Sequence, residues 1–276
     1  MNHKLLALYG LKWNPFLPDM PVETLWRADK TDHFCWRMES LVRDGGFALV
    51  TGDPGTGKSA SLRILADHLA NQPDVSVGVL TRPQSNIPDF YRELGDLFGV
   101  ELSPHNRWAG YKVLRQTWLT HVESTRFRPA LIVDEAQEMP TKVLSELRLL
   151  ASSEVDSRSI LTVVLAGDSR LTHRFRADDL LPVASRIRVR LNLDYLSPSE
   201  LLDWLHHVLE QAGQPNLMAA DVMSTLSQHA AGNLRVLATM ANDLLVEAAR
   251  RELPQIDQKL YLEVFAPPGR ASRESS

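Results

Sequence analysis

The stretch Gly52-Asp53-Pro54-Gly55-Thr56-Gly57-Lys58-Ser59 fits the spacing G-x-x-x-x-G-K-[ST] of a phosphate-cradling loop. Glycines let backbone N–H groups turn toward phosphate oxygens, and a helix starting at the loop adds the positive end of its dipole. Lys58 is placed to reach β- and γ-phosphates, and the Ser59 hydroxyl to ligate Mg²⁺. The expected cofactor-binding set is Gly52, Asp53, Pro54, Gly55, Thr56, Gly57, Lys58, Ser59 and Ala60, and the expected cofactors are ATP and Mg²⁺. A second group follows in Ala130-Leu131-Ile132-Val133-Asp134-Glu135, a short apolar run ending in two carboxylates. Asp134 would hold Mg²⁺, partly through water, and Glu135 would orient and deprotonate an attacking water. The plain alternatives are a glycine-rich turn with an accidental Lys-Ser, and an apolar strand followed by an acidic turn. Their co-occurrence in one chain argues against both.

Such groups need strands and helices to hold them. Phe47–Val50 reads as a buried strand before the loop, and Ala60–Leu69 has helical spacing after it. Val75–Thr81 reads as a second strand, Ala130–Val133 as a third and Ser159–Ala166 as a fourth, ending in Gly167-Asp168-Ser169. In a parallel sheet, ligands gather at the carboxyl ends of the strands, so the loop, the acidic pair and Gly167-Asp168-Ser169 should meet at one edge. Ile187–Leu193 alternates apolar and polar residues as an edge strand would. Between the strands, helices are expected over about 31–43, capped by Thr31 or Asp32 and stopped by Gly45-Gly46. Others are expected over Ile87–Phe98, over Tyr111–Ser124, and from Pro140, in the first turn, to about Ser152.

Residues 1–30 read as irregular because of Pro15, Pro18 and Pro21. Tyr9–Phe16 forms an aromatic cluster that could close over an adenine ring or plug the edge of a domain. After the last strand the pattern turns all-helical: Ser197-Pro198-Ser199-Glu200 is a capping box opening a helix to Gln211, followed by Ala219–Ala230, Leu234–Glu252 and Gln255–Phe265. The expected division is an N-terminal arm 1–30 near the nucleotide site, an α/β nucleotide-binding domain 31–195, a helical lid 196–266 and a disordered tail 267–276.

Composition is that of an ordinary globular chain: 276 residues, 44% hydrophobic, 23% charged, net charge -4. No overall basic field announces nucleic acid, although local patches matter more than the sum. Arg107 and Trp108, in the 99–112 loop, together with Lys112 and Arg115, are the candidates for DNA contact, by charge and by stacking. The single cysteine, Cys35, allows no intrachain disulfide and suits a reducing cytoplasm. No apolar run is long enough to span a bilayer, so a cytoplasmic protein is expected.

The chain resembles the AAA+ ATPases, and within them the ExeA-like group that includes transposition ATPases of the Mu B-protein, TniB and TnsC kind. The match is carried by Tyr9-Gly10-Leu11, Asn14-Pro15-Phe16, Thr51–Ser59, Val133–Gln137, Leu165-Ala166-Gly167, Ser185-Arg186-Ile187 and Ala231–Arg235. The resemblance implies an α/β parallel-sheet P-loop domain followed by a small all-helical lid. It implies that Arg186 reaches a neighbouring subunit's phosphate and that Arg235 senses the γ-phosphate from the lid. It puts Asp168 at a sensor position where the group usually has a neutral polar residue. A carboxylate there would repel phosphate unless Mg²⁺ or an arginine intervenes; Ser169 could substitute. Secretion-type members continue into a membrane span and a peptidoglycan-binding region. Neither follows the lid here, which tilts the expectation to the mobile-element branch. That branch implies ATP hydrolysis, a homo-oligomer (ring or helical filament) on duplex DNA, and a transposase as partner. The alternatives are an ATP-gated protein-interaction switch in secretion or signalling, and, much less favoured, a small-molecule P-loop kinase.

Overall fold

The structure, a computed structural model, describes residues 2–80, 82–100, 107–124, 127–153 and 158–265. The expected tail 267–276 and residues 101–106 of the 99–112 loop proposed for DNA contact lie outside them. The described chain divides into two compact units, Arg27–Asp194 and a helical unit made of 1–26 with 195 onward.

The larger unit is built on β1 (Gly46–Gly52), β2 (Val75–Leu80), β3 (Arg128–Val133), β6 (Thr162–Gly167) and β7 (Ile187–Leu193). All pair in parallel, in the order β2-β3-β6-β1-β7. The inner strands are continuous apolar runs because helices cover both faces; β6 is buried along its whole length. At the edge, β7 buries Val189, Leu191 and Leu193 and exposes Arg188, Arg190 and Asn192, the alternation read from its sequence. Charged side chains on an edge strand also discourage pairing with a stray strand. Helices Ile87–Phe98, Arg107–Ser124 and Thr141–Ala151 pack Phe90, Leu94, Leu114, Trp118, Leu144 and Leu147 against Phe47, Leu49, Val133, Val163 and Leu165. Helices Asp29–Asp44 and Lys58–Ala70 also pack against the sheet.

Several boundaries differ from the sequence reading. The first helix of this unit begins at Asp29, with Ala28 as a cap that offers no side chain. The Ala28 carbonyl accepts from the N–H groups of Thr31 and Asp32, and the Thr31 hydroxyl is buried against Ser61 Oγ, 3.4 Å away, so neither expected residue caps. Pro140 stands at the cap position, one residue before the helix. The strand expected from Ser159 starts at Thr162, because β5 (Arg158–Ser159) turns back to pair antiparallel with β4 (Ser152–Ser153). The helix expected from Tyr111 starts at Arg107; Gly110 lies inside it, and a β-carbon there would rest 3.4 Å from the Tyr91 ring. Cys35 is 2% exposed, and burial pushes its thiol up to about 11, as for a small core residue.

The helical unit contains Asn2–Tyr9, Pro198–Gln211, Ala220–His229, Leu234–Arg250 and Gln258–Phe265, with a short 3₁₀ turn at Val22–Thr24. Residues 2–9 are helical although 1–30 read as irregular: the prolines all come later, and Leu5 and Tyr9 recur four apart on one buried face. The arm through Trp26 packs within this unit. Tyr9 Oη donates to the Leu253 carbonyl at 2.9 Å, and Asn14 Nδ2 to Asn242 Oδ1 at 2.9 Å. The Asn14 carboxamide oxygen also accepts from the Phe16 N–H at 3.0 Å. Tyr9, Leu11 and Phe16 of the aromatic cluster are buried within this unit. The capping box at Ser197 and Glu200 forms as read, with both reciprocal bonds present.

Candidate nucleotide site

The loop between β1 and the Lys58–Ala70 helix is shaped by its glycines. Gly55 and Gly57 take φ of 88° and 93°, a region that side-chain-bearing residues avoid. A β-carbon on Gly52 would meet Thr56 Oγ1 at 2.5 Å and the Leu193 carbonyl at 2.6 Å. Thr56 folds inward, its hydroxyl donating to the Asp53 carbonyl at 2.8 Å. Lys58 is 7% exposed, and its ammonium donates to the carbonyls of Gly52 at 2.7 Å and Asp53 at 3.1 Å. The loop thus places its one lysine over its own backbone, at the start of a helix. Asp53 and Pro54 are exposed on the loop, and Ser59 and Ala60 begin the helix.

The acidic pair sits at the end of β3. Asp134 Oδ2 accepts from Ser59 Oγ at 3.2 Å, joining the loop helix to β3. Its Oδ1 accepts from the Glu135 N–H at 2.9 Å. A hydroxyl beside a carboxylate suits Mg²⁺, a hard cation that takes one or two protein oxygens and fills its sphere with phosphate and water. Among the described residues no three His, Cys, Asp or Glu side chains gather to hold a metal, so Ser59 and Asp134 would hold this one with the phosphates. Glu135 takes a φ of 52°, a left-handed conformation that costs a side-chain-bearing residue about 1–3 kcal/mol. Its carbonyl accepts from the Glu138 N–H at 2.8 Å, and its carboxylate accepts from Gln137 Nε2.

Gln137 has no assigned role in the sequence reading, yet it ties the site together. It is 7% exposed, and its Oε1 accepts from the Asp168 N–H at 3.3 Å. Its own carbonyl accepts from Arg174 Nη1 at 2.6 Å, and Arg174 Nη2 reaches Thr141 Oγ1 at 3.2 Å. The signal was present: Gln137 stands two residues after Glu135 in the Ala136–Glu138 turn, within reach of its carboxylate.

Asp168 caps the Ser169–Arg174 helix, accepting from the Arg170 N–H at 2.9 Å. Arg170, also missed by the sequence reading, forks onto the same carboxylate with Nε at 2.9 Å and Nη2 at 2.8 Å from Oδ2. Its Nη1 lies 3.0 Å from Glu138 Oε1. The Arg170 hydrogen bonds hold the Asp168 carboxyl below its ordinary range, against a smaller opposing effect of burial, with Lys58 adding a minor pull. Ser169 is exposed at the start of that helix.

Other expected residues fall elsewhere. Arg186 precedes β7 and donates from Nη1 to the Pro182 carbonyl. Arg235 is exposed in the helical unit, at the start of the Leu234–Arg250 helix, where Asn233 Oδ1 accepts from its N–H at 3.0 Å. Lys112 is exposed, while the Arg115 guanidinium donates to Tyr111 Oη at 2.7 Å and lies over its ring. The side chains of Arg107 and Trp108 lie outside the described set.

Residues 42–175 match the family model described as AAA domain. The chain is 28% identical over 250 residues to General secretion pathway protein A of Aeromonas hydrophila, covering 88% of this chain but 44% of that protein, less than half its length. Among solved structures it is similar to Cdc6p of Pyrobaculum aerophilum, with a TM-score of 0.72, 14% identity, and 88% of this chain and 67% of that chain covered. It is also similar to the Aeropyrum pernix ORC1 protein in complex with DNA, with a TM-score of 0.69, 18% identity, and coverage of 90% and 67%. The RuvB Holliday junction branch migration motor of Thermotoga maritima gives a TM-score of 0.57, 14% identity, and coverage of 90% and 72%. No helix among the described residues is long and apolar enough to cross a membrane. Strand order, phosphate loop and the match over residues 42–175 make Arg27–Asp194 an α/β P-loop domain of the AAA+ fold.

Proposed function

We propose that this chain is an ATPase switch that assembles on duplex DNA in an ATP-dependent way, and regulates transposition by selecting a target and recruiting or activating a transposase. The observation that carries the nucleotide part is the 3.2 Å contact between Ser59 and Asp134, which unites the loop and the acidic strand end in one site. Bound Mg²⁺ would offset charge on the β- and γ-phosphates. The backbone amides of the loop and Lys58 bind and orient the triphosphate. Glu135 takes the proton of the attacking water as its oxygen bonds to the γ-phosphorus and the bond to the β-phosphate oxygen breaks. Gln137 holds the Glu135 carboxylate in place. Arg186 is assigned to the phosphate of a neighbouring copy, which makes hydrolysis depend on assembly, and Arg235 to coupling the helical unit to nucleotide state.

Support for DNA as partner comes from the DNA-bound ORC1 likeness together with the motif resemblance to transposition ATPases. The test is electron microscopy of the full chain with non-specific duplex DNA, with and without a non-hydrolysable ATP analogue. ATP-dependent rings or filaments, dissolving as salt rises, are expected. Protein that binds nucleotide but assembles on no DNA would sink the DNA reading. A second reading, a protein-interaction switch, is favoured by the likeness to General secretion pathway protein A. It predicts partner recovery that nuclease treatment leaves unchanged.

A further inference from the structure

Asp168 brings a negative charge to a place where phosphate is meant to arrive. It follows Gly167, which pairs with Thr51 of β1, so it stands beside the first residue of the phosphate loop. Gln137 links its backbone to Glu135. The helix cap does not require that charge, since Asn caps as well as Asp. Nor does fold stability explain the ion pair: Arg170 is 63% exposed, and an exposed pair contributes little. What distinguishes the pair is its geometry. Nε and Nη2 both meet the Asp168 carboxylate, and Nη1 is drawn to Glu138, so the guanidinium is held from two sides.

We propose that Arg170 is a positioning residue for the terminal phosphate: it neutralises Asp168, so that the site's preference for a nucleoside triphosphate over a diphosphate depends on the Asp168–Arg170 pair. The proposal rests on reading Gly52–Ala60 as a triphosphate site. Without Arg170, Asp168 repels the γ-phosphate and leaves the more distant α- and β-phosphates little affected. Removing both charges restores the balance. A neutral residue at 168 needs no arginine, which is why the two positions act as a unit.

The experiment is calorimetric titration of the full chain with Mg²⁺ and either ATP or ADP, with thermal melts as a control for folding. Arg170→Ala should weaken ATP binding about tenfold and ADP binding less than about twofold. Arg170→Met, which keeps the length of the stem, should do the same. Asp168→Asn combined with Arg170→Ala should bring ATP affinity back to within about twofold of wild type. An ATP-to-ADP ratio unchanged in both single Arg170 variants overturns the proposal, as does a double variant as weak as Arg170→Ala. Wild-type protein that binds neither nucleotide overturns the reading of the site itself. Wild-type protein that binds both, with an unmoved ratio in the variants, leaves that reading intact and removes only the role of Arg170.

Discussion

The carboxamide of Gln137 fills the space that a side chain on Gly167 would need: its Oε1 lies 2.3 Å from where a β-carbon at 167 would stand. From there its two ends reach Glu135 and the Asp168 N–H. Glycine at the end of β6 is therefore what lets a buried amide bridge two neighbouring strand ends. Gly167→Ala should push Gln137 aside and release the Glu135 carboxylate. Single-turnover ATP hydrolysis should fall about tenfold or more, while ATP affinity stays within about threefold. Equal hydrolysis in the variant would mean that Gln137 does not position Glu135.

Lys58→Ala removes the one ammonium held over the loop. Its bonds to the Gly52 and Asp53 carbonyls hold the side chain across the loop. Charge-assisted contacts to phosphate are among the stronger hydrogen bonds, so ATP affinity should drop about a hundredfold. Fluorescence titration with a labelled nucleotide reads this directly, and an unchanged affinity would remove Lys58 from the site.

Glu135→Gln separates binding from chemistry. The substitution keeps the shape of the side chain at a φ of 52° but removes its basicity. Hydrolysis should fall by about a hundredfold or more, with nucleotide affinity close to wild type. Pre-formed complexes with ATP should then persist on a sizing column. A variant that turns over ATP at the normal rate would show that another group takes the proton.

What the sequence disclosed, and what it hid, follows from the range of the interactions. The strand ends, the loop and the acidic pair were legible because apolar runs and fixed-spacing glycines are local signals. Ser197 and Glu200 were legible as a capping box for the same reason, three residues apart. Arg170 was not, because spacing alone does not reveal that its guanidinium turns back onto Asp168 while also reaching Glu138, more than thirty residues earlier. Gln137 was quoted as part of a motif but gained meaning only once Gly167 stood beside it. The Asn2–Tyr9 helix was hidden because three later prolines coloured the reading of the whole arm. Thr31 looked like a cap and instead lies buried against Ser61, a contact thirty residues away.

The helical unit carries its own pH signature. Glu247 accepts from Arg250 Nε at 2.7 Å and Arg251 Nε at 2.6 Å, and these bonds hold its carboxyl down at about 2, below the ordinary 4.5. The folded form therefore binds the proton later than the unfolded one as pH falls. Stability from this group is fully present above pH 4.5 and is lost progressively as pH falls toward 2. The guanidinium of Arg250 is largely exposed, so salt should weaken the effect. Melting followed by circular dichroism, on wild type and Glu247→Gln, isolates this carboxylate because every other acid is common to both chains. Wild type should melt higher at neutral pH, and the gap should narrow through the acid range and shrink in molar salt. A gap that stays constant with pH would show that Glu247 contributes by packing and not by charge.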